Sequence, residues 1–230
     1  MSELDNIKQW LEETKDEPLE EMGSFFEKRI DGYESHMNPW KEHYKRMADL
    51  IPEGAQNLLD IGCGTGLELD EIFKKYPGIA VTGIDLESAM LKKLREKHGD
   101  KKLNLICGDY FIEPFGVCRF DTAVSFETLH HFKPEKKIEV FRKIYDSLKD
   151  GGCYIECDYV AESDEMETYL FEECERRRIK NHIPDTVFVH FDTPLTLEHE
   201  MMLLKKAGFK EVNQLEAYAE NYTRMIKAVK

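Results

Sequence analysis

The sequence predicts an α/β domain, a twisted and mostly parallel sheet with helices on both faces. Three observations predict it. From Asn57 onward, short apolar runs alternate with helical stretches, the rhythm of strand-helix-strand units. A glycine-rich turn, Gly62-Cys63-Gly64-Thr65-Gly66, joins the first apolar run to the first helical one. The last two apolar runs, Phe209 to Ala217 and Tyr222 to Val229, are joined by too few residues for a crossover helix, so they should pair antiparallel. With 230 residues, 41% of them hydrophobic, the chain can bury one good-sized core.

In chain order, helices come first. Leu4, Ile7 and Leu11 make one apolar stripe, and Phe26, Ile30, Tyr33 and Met37 make another at three- and four-residue spacing. Asn38-Pro39 fits a helix cap followed by proline at the first helical position. Trp40, Tyr44, Met47 and Ile51 then continue an apolar face until Pro52-Glu53-Gly54 stops it. The alternation that follows is NLLDIG with helix 67–76, IAVTGID with helix 87–98, LNLICGD, FDTAVSF with helix 134–149, and GGCYIECDY with helix 163–180. A proline-bearing loop at 181–195 leads to helix 196–207, ended by Gly208. Residues 1–50 are expected as a helical lid and 51–230 as the main domain. Residues 160–195 interrupt the alternation and are expected as a substrate-facing insertion.

Composition narrows the function. Lys+Arg number 32 and Asp+Glu 46, a net charge of −14 that repels a phosphate backbone, so nucleic acid is not expected as a partner. The cluster Arg176-Arg177-Arg178 follows Glu172, Glu173 and Glu175 and reads as a charge-laced helix face. No apolar run approaches 20 residues, and the acidic start MSELDNIKQWLEETKDE lacks the basic and apolar parts of a secretory signal; a cytoplasmic protein without membrane attachment is expected. Cys63, Cys107, Cys118, Cys153, Cys157 and Cys174 lack zinc-site spacing and are expected as reduced thiols, with Cys153 and Cys157 on one face of a strand.

The chemistry-bearing segment is Leu58-Leu59-Asp60-Ile61-Gly62-Cys63-Gly64-Thr65-Gly66. A dinucleotide fingerprint would place glycine three residues after Gly64, where Leu67 stands. The spacing is G-x-G-x-G with an acid two residues before the first glycine. Asp60 beside a pyrophosphate would cost repulsion; beside the ammonium and sulfonium of a cationic ligand it would be attractive. Asp85 ends the next strand, where a carboxylate can accept from both ribose hydroxyls. Asp109 ends the third, where it can accept from the adenine amine with Leu86 and Tyr110 flanking the ring. Three acids at the carboxyl ends of three successive strands are the arrangement of a ligand crevice in an open α/β sheet.

These motifs resemble the class I S-adenosylmethionine (SAM)-dependent methyltransferases, over about residues 54–160 by motif and elsewhere by element order. The segment 60–66 is similar to the family's first motif, Phe120 to Phe126 to its fourth-strand motif, and Leu148 to Gly152 to the turn before its fifth strand. The resemblance implies a seven-stranded Rossmann-like sheet ordered 3-2-1-4-5-7-6 with strand 7 antiparallel. It implies SAM as cofactor, S-adenosyl-L-homocysteine as product, and Asp60, Gly62, Cys63, Gly64, Gly66, Asp85, Leu86, Gly108, Asp109 and Tyr110 as contacts. Tyr33, in the segment similar to the family's lid, is a further expected contact, with packing against Met37 as the alternative.

Methyl transfer is an in-line displacement, so most of catalysis is positioning, with an added base where the acceptor carries a proton. The segment Phe126-Glu127-Thr128-Leu129-His130-His131-Phe132 follows the fourth strand. His131 and His130 are the candidates for base, Glu127 for the SAM amino group, and Phe126 for a backbone carbonyl contact. His182, His190, His199, Asp185 and Asp192 fit no zinc spacing and are expected as solvated loop residues, with no metal site. The expected partner is a small-molecule acceptor offering O, N or S. Other chemistry in the SAM pocket, a protein or RNA acceptor, and a silent SAM-binding protein remain alternatives, and a homodimer stays open beside a monomer.

Overall fold

The computed structural model describes residues 3–218 and 222–230; most of the turn expected between the last two strands, 219–221, lies outside the described residues. Its sheet contains β1 (Asn57–Ile61), β2 (Ala80–Asp85), β3 (Lys102–Cys107), β4 (Phe120–Phe126), β5 (Leu148–Tyr159), β6 (Glu211–Tyr218) and β7 (Thr223–Val229), in the order β3-β2-β1-β4-β5-β7-β6. The first five strands are parallel, and β7 runs antiparallel to both β5 and β6, as the short closing turn requires.

The central strands are buried on both faces, which is why they read as continuous apolar runs. Their side chains alternate between two cores. On one face Leu58, Val124, Ile155, Cys153 and Cys157 pack beneath α4 (Lys41–Leu50), α5 (Leu67–Lys75) and α6 (Ser88–Lys97). On the other, Leu59, Ala123 and Tyr154 pack beneath α7 (Pro134–Ser147) and α9 (Leu197–Ala207). A third, smaller core joins α1 (Glu3–Glu13) to α8 (Asp164–Lys180) and the loop before α9 through Leu4, Leu11, Met166, Leu170, Val189 and Phe191.

Two expectations are corrected. The stripe from Phe26 to Met37 is not one helix: it divides into α2 (Met22–Arg29) and α3 (Tyr33–His36) around Gly32, and Asn38-Pro39-Trp40 forms a 3₁₀ turn capped by Met37. Arg177 leaves the charged face of its helix. It is 4% exposed and donates to Glu173 Oε1 (2.8 Å), Leu11 O (2.7 Å) and Thr14 O (3.2 Å), so it ties the end of α1 to α8. No helix among the described residues is long and apolar enough to cross a membrane.

Candidate active site

The carboxyl ends of β1, β2 and β3 carry the three acids. β1 delivers Asp60 to the sheet edge, and the chain turns through Gly62, Gly64 and Gly66 at φ 69°, 48° and 73°. These left-handed angles suit glycine, and at Gly62 a Cβ would also strike the side chain of Thr128. The missing side chain of Gly64 leaves room for Tyr33 of α3, whose hydroxyl would stand 3.5 Å from a Cβ there. Burial, with Glu68, Asp85 and Glu127 nearby, keeps that phenol protonated. Tyr33 therefore lies over the turn.

Asp85 braces the same turn: its Oδ2 accepts from the Gly64 N–H and its Oδ1 from the Glu87 N–H, both at 2.8 Å. Burial lifts its carboxyl to about 6 even so. Asp109 closes a turn, accepting from the Phe111 N–H at 2.8 Å, and Glu113 lies against Gly108. Leu86 is 43% exposed beside Asp85, whereas Tyr110 is buried against Phe111 and Phe132, its hydroxyl directed at Thr128 O (3.4 Å). Cys63 turns its thiol inward against Gly83.

Beneath the turn lies a residue that sequence reasoning missed. Glu68, in the first turn of α5, is buried beside Asp60. Among the described residues no hydroxyl or N–H donates to Asp60 Oδ2 or Glu68 Oε1. Burial first, then repulsion from Glu68, pushes the Asp60 carboxyl well up. Burial also raises Glu68, against a hydrogen bond from Asp60 that lowers it. Both carboxyls are thus biased toward their neutral forms. The available signal was register, because Glu68 precedes the buried Ile72 by one helical turn. Two buried carboxyls under a turn nearly free of side chains suit a cation and repel phosphate. The residues present thus fit SAM.

A cleft of about 780 Å³ opens between α2 and α3 on one side and the loops after β4 and β5 on the other. Phe25, Phe26, Trp40 and Tyr159 give it apolar walls, and Glu127, His130, His131, His190 and Asp192 a polar one. Glu127 holds a left-handed φ of 46° at the end of β4, uncommon for a residue with a side chain, and accepts from Thr223 Oγ1 at 2.9 Å. Burial and the charge of Asp158 raise its carboxyl to about 8. Phe126 packs its ring away from the cleft, on Tyr44 at 4.4 Å.

The two histidines differ sharply. His130 Nδ1 meets Asp158 Oδ1 at 2.5 Å, and its Nε2 faces Asp192 Oδ1 at 3.4 Å. Burial opposes its charge, yet the two carboxylates outweigh burial and hold its pKa well above the ordinary histidine value. For His131, burial and then the neighbouring His130 charge push the pKa down to about 3. Its Nδ1 lies 3.3 Å from both Phe191 O and Asp192 Oδ1. The solvated-loop expectation is corrected for His190, which stacks on Phe25 at 3.5 Å; Asp192 stays exposed on its loop while facing both histidines. His182 and Asp185 are exposed, and His199 pairs with Glu167 at 2.9 Å.

A crevice lined by acids beside an aromatic-walled cleft, on this sheet order, has the architecture of a SAM-dependent methyltransferase. The comparisons agree. A family model described as a methyltransferase domain matches residues 59–154. An uncharacterized methyltransferase of Geobacillus sp. (strain WCH70) is 29% identical over 192 residues, 83% of this chain and 87% of that one. A carboxy-S-adenosyl-L-methionine synthase of Nautilia profundicola is 25% identical over 217 residues, 85% and 90% of the two chains. Among solved structures, human N-acetylserotonin methyltransferase in complex with SAM superposes with a TM-score of 0.66 at 18% identity, over 99% of this chain and 65% of that one, a likeness of fold. The methyltransferase-domain match and these relatives support a SAM-dependent methyltransferase with SAM as cofactor.

Proposed function

We propose that this enzyme methylates a small-molecule acceptor, at O, N or S, bound in the cleft between α2–α3 and the His130–His131 loop. The observation that carries the reading is the cleft itself: about 780 Å³ falls within the ~300–1,000 Å³ of small-molecule sites, with an aromatic wall facing a polar one. A polypeptide or RNA acceptor calls for an open groove. Lys28 and Arg29 reach the cleft, but each is already paired with Glu20 at 2.7 Å, which weakens a reading built on a strongly anionic ligand.

SAM supplies an electrophilic methyl group on a sulfonium. The chain's own residues do the rest. Asp60 and Glu68 would offer the negative charge that a bound ammonium neutralises, Asp85 holds the turn that must come close to the ligand, and Asp109, just after β3, would accept from the adenine edge. Tyr33 spans from α3 to Gly64 and closes the crevice from above. Its ring also meets Phe26 edge-on at 5.9 Å, so one segment lies over the glycine turn and the cleft together. Asp158 fixes the direction of His130, so Nε2 is presented toward Asp192 and the cleft. Incubating the protein with methyl-labelled SAM and a fractionated extract tests the proposal. Label in the small-molecule fraction is expected; label confined to protein or RNA refutes it.

A further inference from the structure

Neither histidine of the cleft is placed as an ordinary general base. His130 has a carboxylate at each nitrogen, and His131 directs Nδ1 at a backbone carbonyl. Yet both converge, with Asp192, on one point of the cleft wall. We propose that His130 Nε2, His131 Nδ1 and Asp192 Oδ1 form a binding site for a divalent transition-metal ion, of the zinc, cobalt or iron(II) class, with open coordination positions facing the cleft.

The geometry argues for it. The three ligand atoms lie within 4.8 Å of one another, and the two distances from Asp192 Oδ1 are 3.4 and 3.3 Å. Ligand atoms each about 2.1 Å from a tetrahedral metal stand about 3.4 Å apart. By contrast, a charge-assisted N–H···O bond closes to about 2.7–2.9 Å, as the 2.5 Å contact between His130 and Asp158 more than does. Asp192 is thus too far from both rings for a strong ion pair and at the right distance for a shared ion.

Around these atoms the supporting contacts are built. Asp158 occupies the far nitrogen of His130, the carboxylate-histidine-metal relay that orients a ligating imidazole. The other oxygen of Asp158 accepts from the Leu129 N–H at 2.8 Å, and Thr193 N–H donates to His130 O at 2.9 Å. The loop carrying Asp192 is thereby fastened to the loop carrying the histidines. Binding requires His130 Nε2 and His131 Nδ1 free of their protons, so the ion would displace those protons together with the His131 contact to Phe191 O. Two imidazoles and one carboxylate suit zinc, cobalt or iron(II), and three protein ligands leave room for a further one. On the reading of the cleft given above, that position is where an acceptor hydroxyl would bind. Its O–H bond would break with the proton passing to water, leaving the oxygen on the ion, a lowering of the hydroxyl pKa that needs no histidine base.

Chelator-stripped protein titrated with Co²⁺ in the absence of SAM and acceptor tests the site. Expected are about one equivalent bound by elemental analysis and visible d–d absorption of a low-symmetry site. Asp192→Asn and His131→Gln should each weaken binding at least ~10-fold, while Glu167→Gln, in the separate Asp164–Glu167–His199 group, changes nothing. SAM affinity and melting temperature measured on the same variants guard against misfolding. In the wild-type protein, Zn²⁺ titrated against the imidazole ¹⁵N signals should shift His130 and His131 among the eight histidines. Binding well below one equivalent, bands indifferent to Asp192→Asn and His131→Gln, or zinc shifts confined to other histidines would overturn the proposal. Since no acceptor enters these measurements, a negative result leaves the small-molecule reading standing, and failure to find an acceptor leaves the metal site standing.

Discussion

Asp60→Asn separates a cofactor-binding carboxylate from a strand-end cap. In the free protein burial and the neighbouring Glu68 favour the neutral form of Asp60, because two adjacent buried charges would be costly. When a cation enters, the ionised form is favoured instead. Wild-type SAM binding should therefore release protons and strengthen as pH rises toward the raised Asp60 pKa. Asparagine keeps the shape but removes the charge. The loss expected is that of a hydrogen bond to a charged group, about 1.5–3 kcal/mol, or roughly 10- to 150-fold in Kd.

Calorimetry in buffers of differing ionisation enthalpy reads affinity and proton count together. The stability of the free protein supplies an independent check of sign. The folded-state pKa of Asp60 is raised above the unfolded value near 3.9, so the folded chain retains a proton that the unfolded chain releases. The folded state then binds more protons, and its stability falls as pH rises from about 4 toward the raised pKa. Asp60→Asn should flatten that fall while weakening SAM. Wild-type affinity and an unchanged proton release in the Asn variant would show that the pair does not face the cofactor.

Other consequences follow from the same contacts. Asp85→Ala frees the Gly64 and Glu87 N–H groups and should weaken SAM by about 1–3 kcal/mol in calorimetry; an unchanged Kd would remove Asp85 from the crevice. Lys137 is 1% exposed, bonded to Glu200 at 2.6 Å beside the buried Glu156. Lys137→Met should destabilise the fold by about 3–5 kcal/mol in urea titrations, with Lys137→Met/Glu200→Leu recovering much of the loss. Arg177→Met removes the clasp on Leu11 and Thr14. It should speed proteolysis within residues 3–20 and cost about 1–3 kcal/mol, less than a bare buried pair because Arg176 still holds Glu173; protection equal to wild type would refute the clasp.

What the sequence reveals about this molecule follows the range of the forces involved. The sheet is legible because alternation is local: Leu58 and Leu59, or Tyr154 and Ile155, face opposite cores whatever else the chain does. Asp60, Asp85 and Asp109 are legible for the same reason, since a residue at a strand's carboxyl end is in the crevice by topology. Asp192 is not, for it reaches His130 across 62 positions through a loop whose path is set by the Thr193 contact and the small core under Phe191. Arg177 looks like its charged neighbours until α1 docks and supplies carbonyls for it. Lys137, Glu156 and Glu200 interrupt apolar elements singly, and only the packing of α7 and α9 on β5 brings their charges together.

The two halves of the active site have opposite electrostatic needs and share one wall. The crevice under the glycine turn carries buried acid suited to a cation, while the cleft holds His130, whose charge is already answered by Asp158. Tyr33 and Glu127 stand between them. Tyr33 touches the turn through its hydroxyl and the cleft through its ring, and Glu127 adopts a strained backbone at the end of β4 to lie within 3.9 Å of His130. A methyl group must cross that boundary, so the residues there can do little but position. A charged Glu127 would draw the sulfonium toward the crevice, whereas a protonated one, favoured by its pKa of about 8, leaves the path between donor and acceptor electrically quiet.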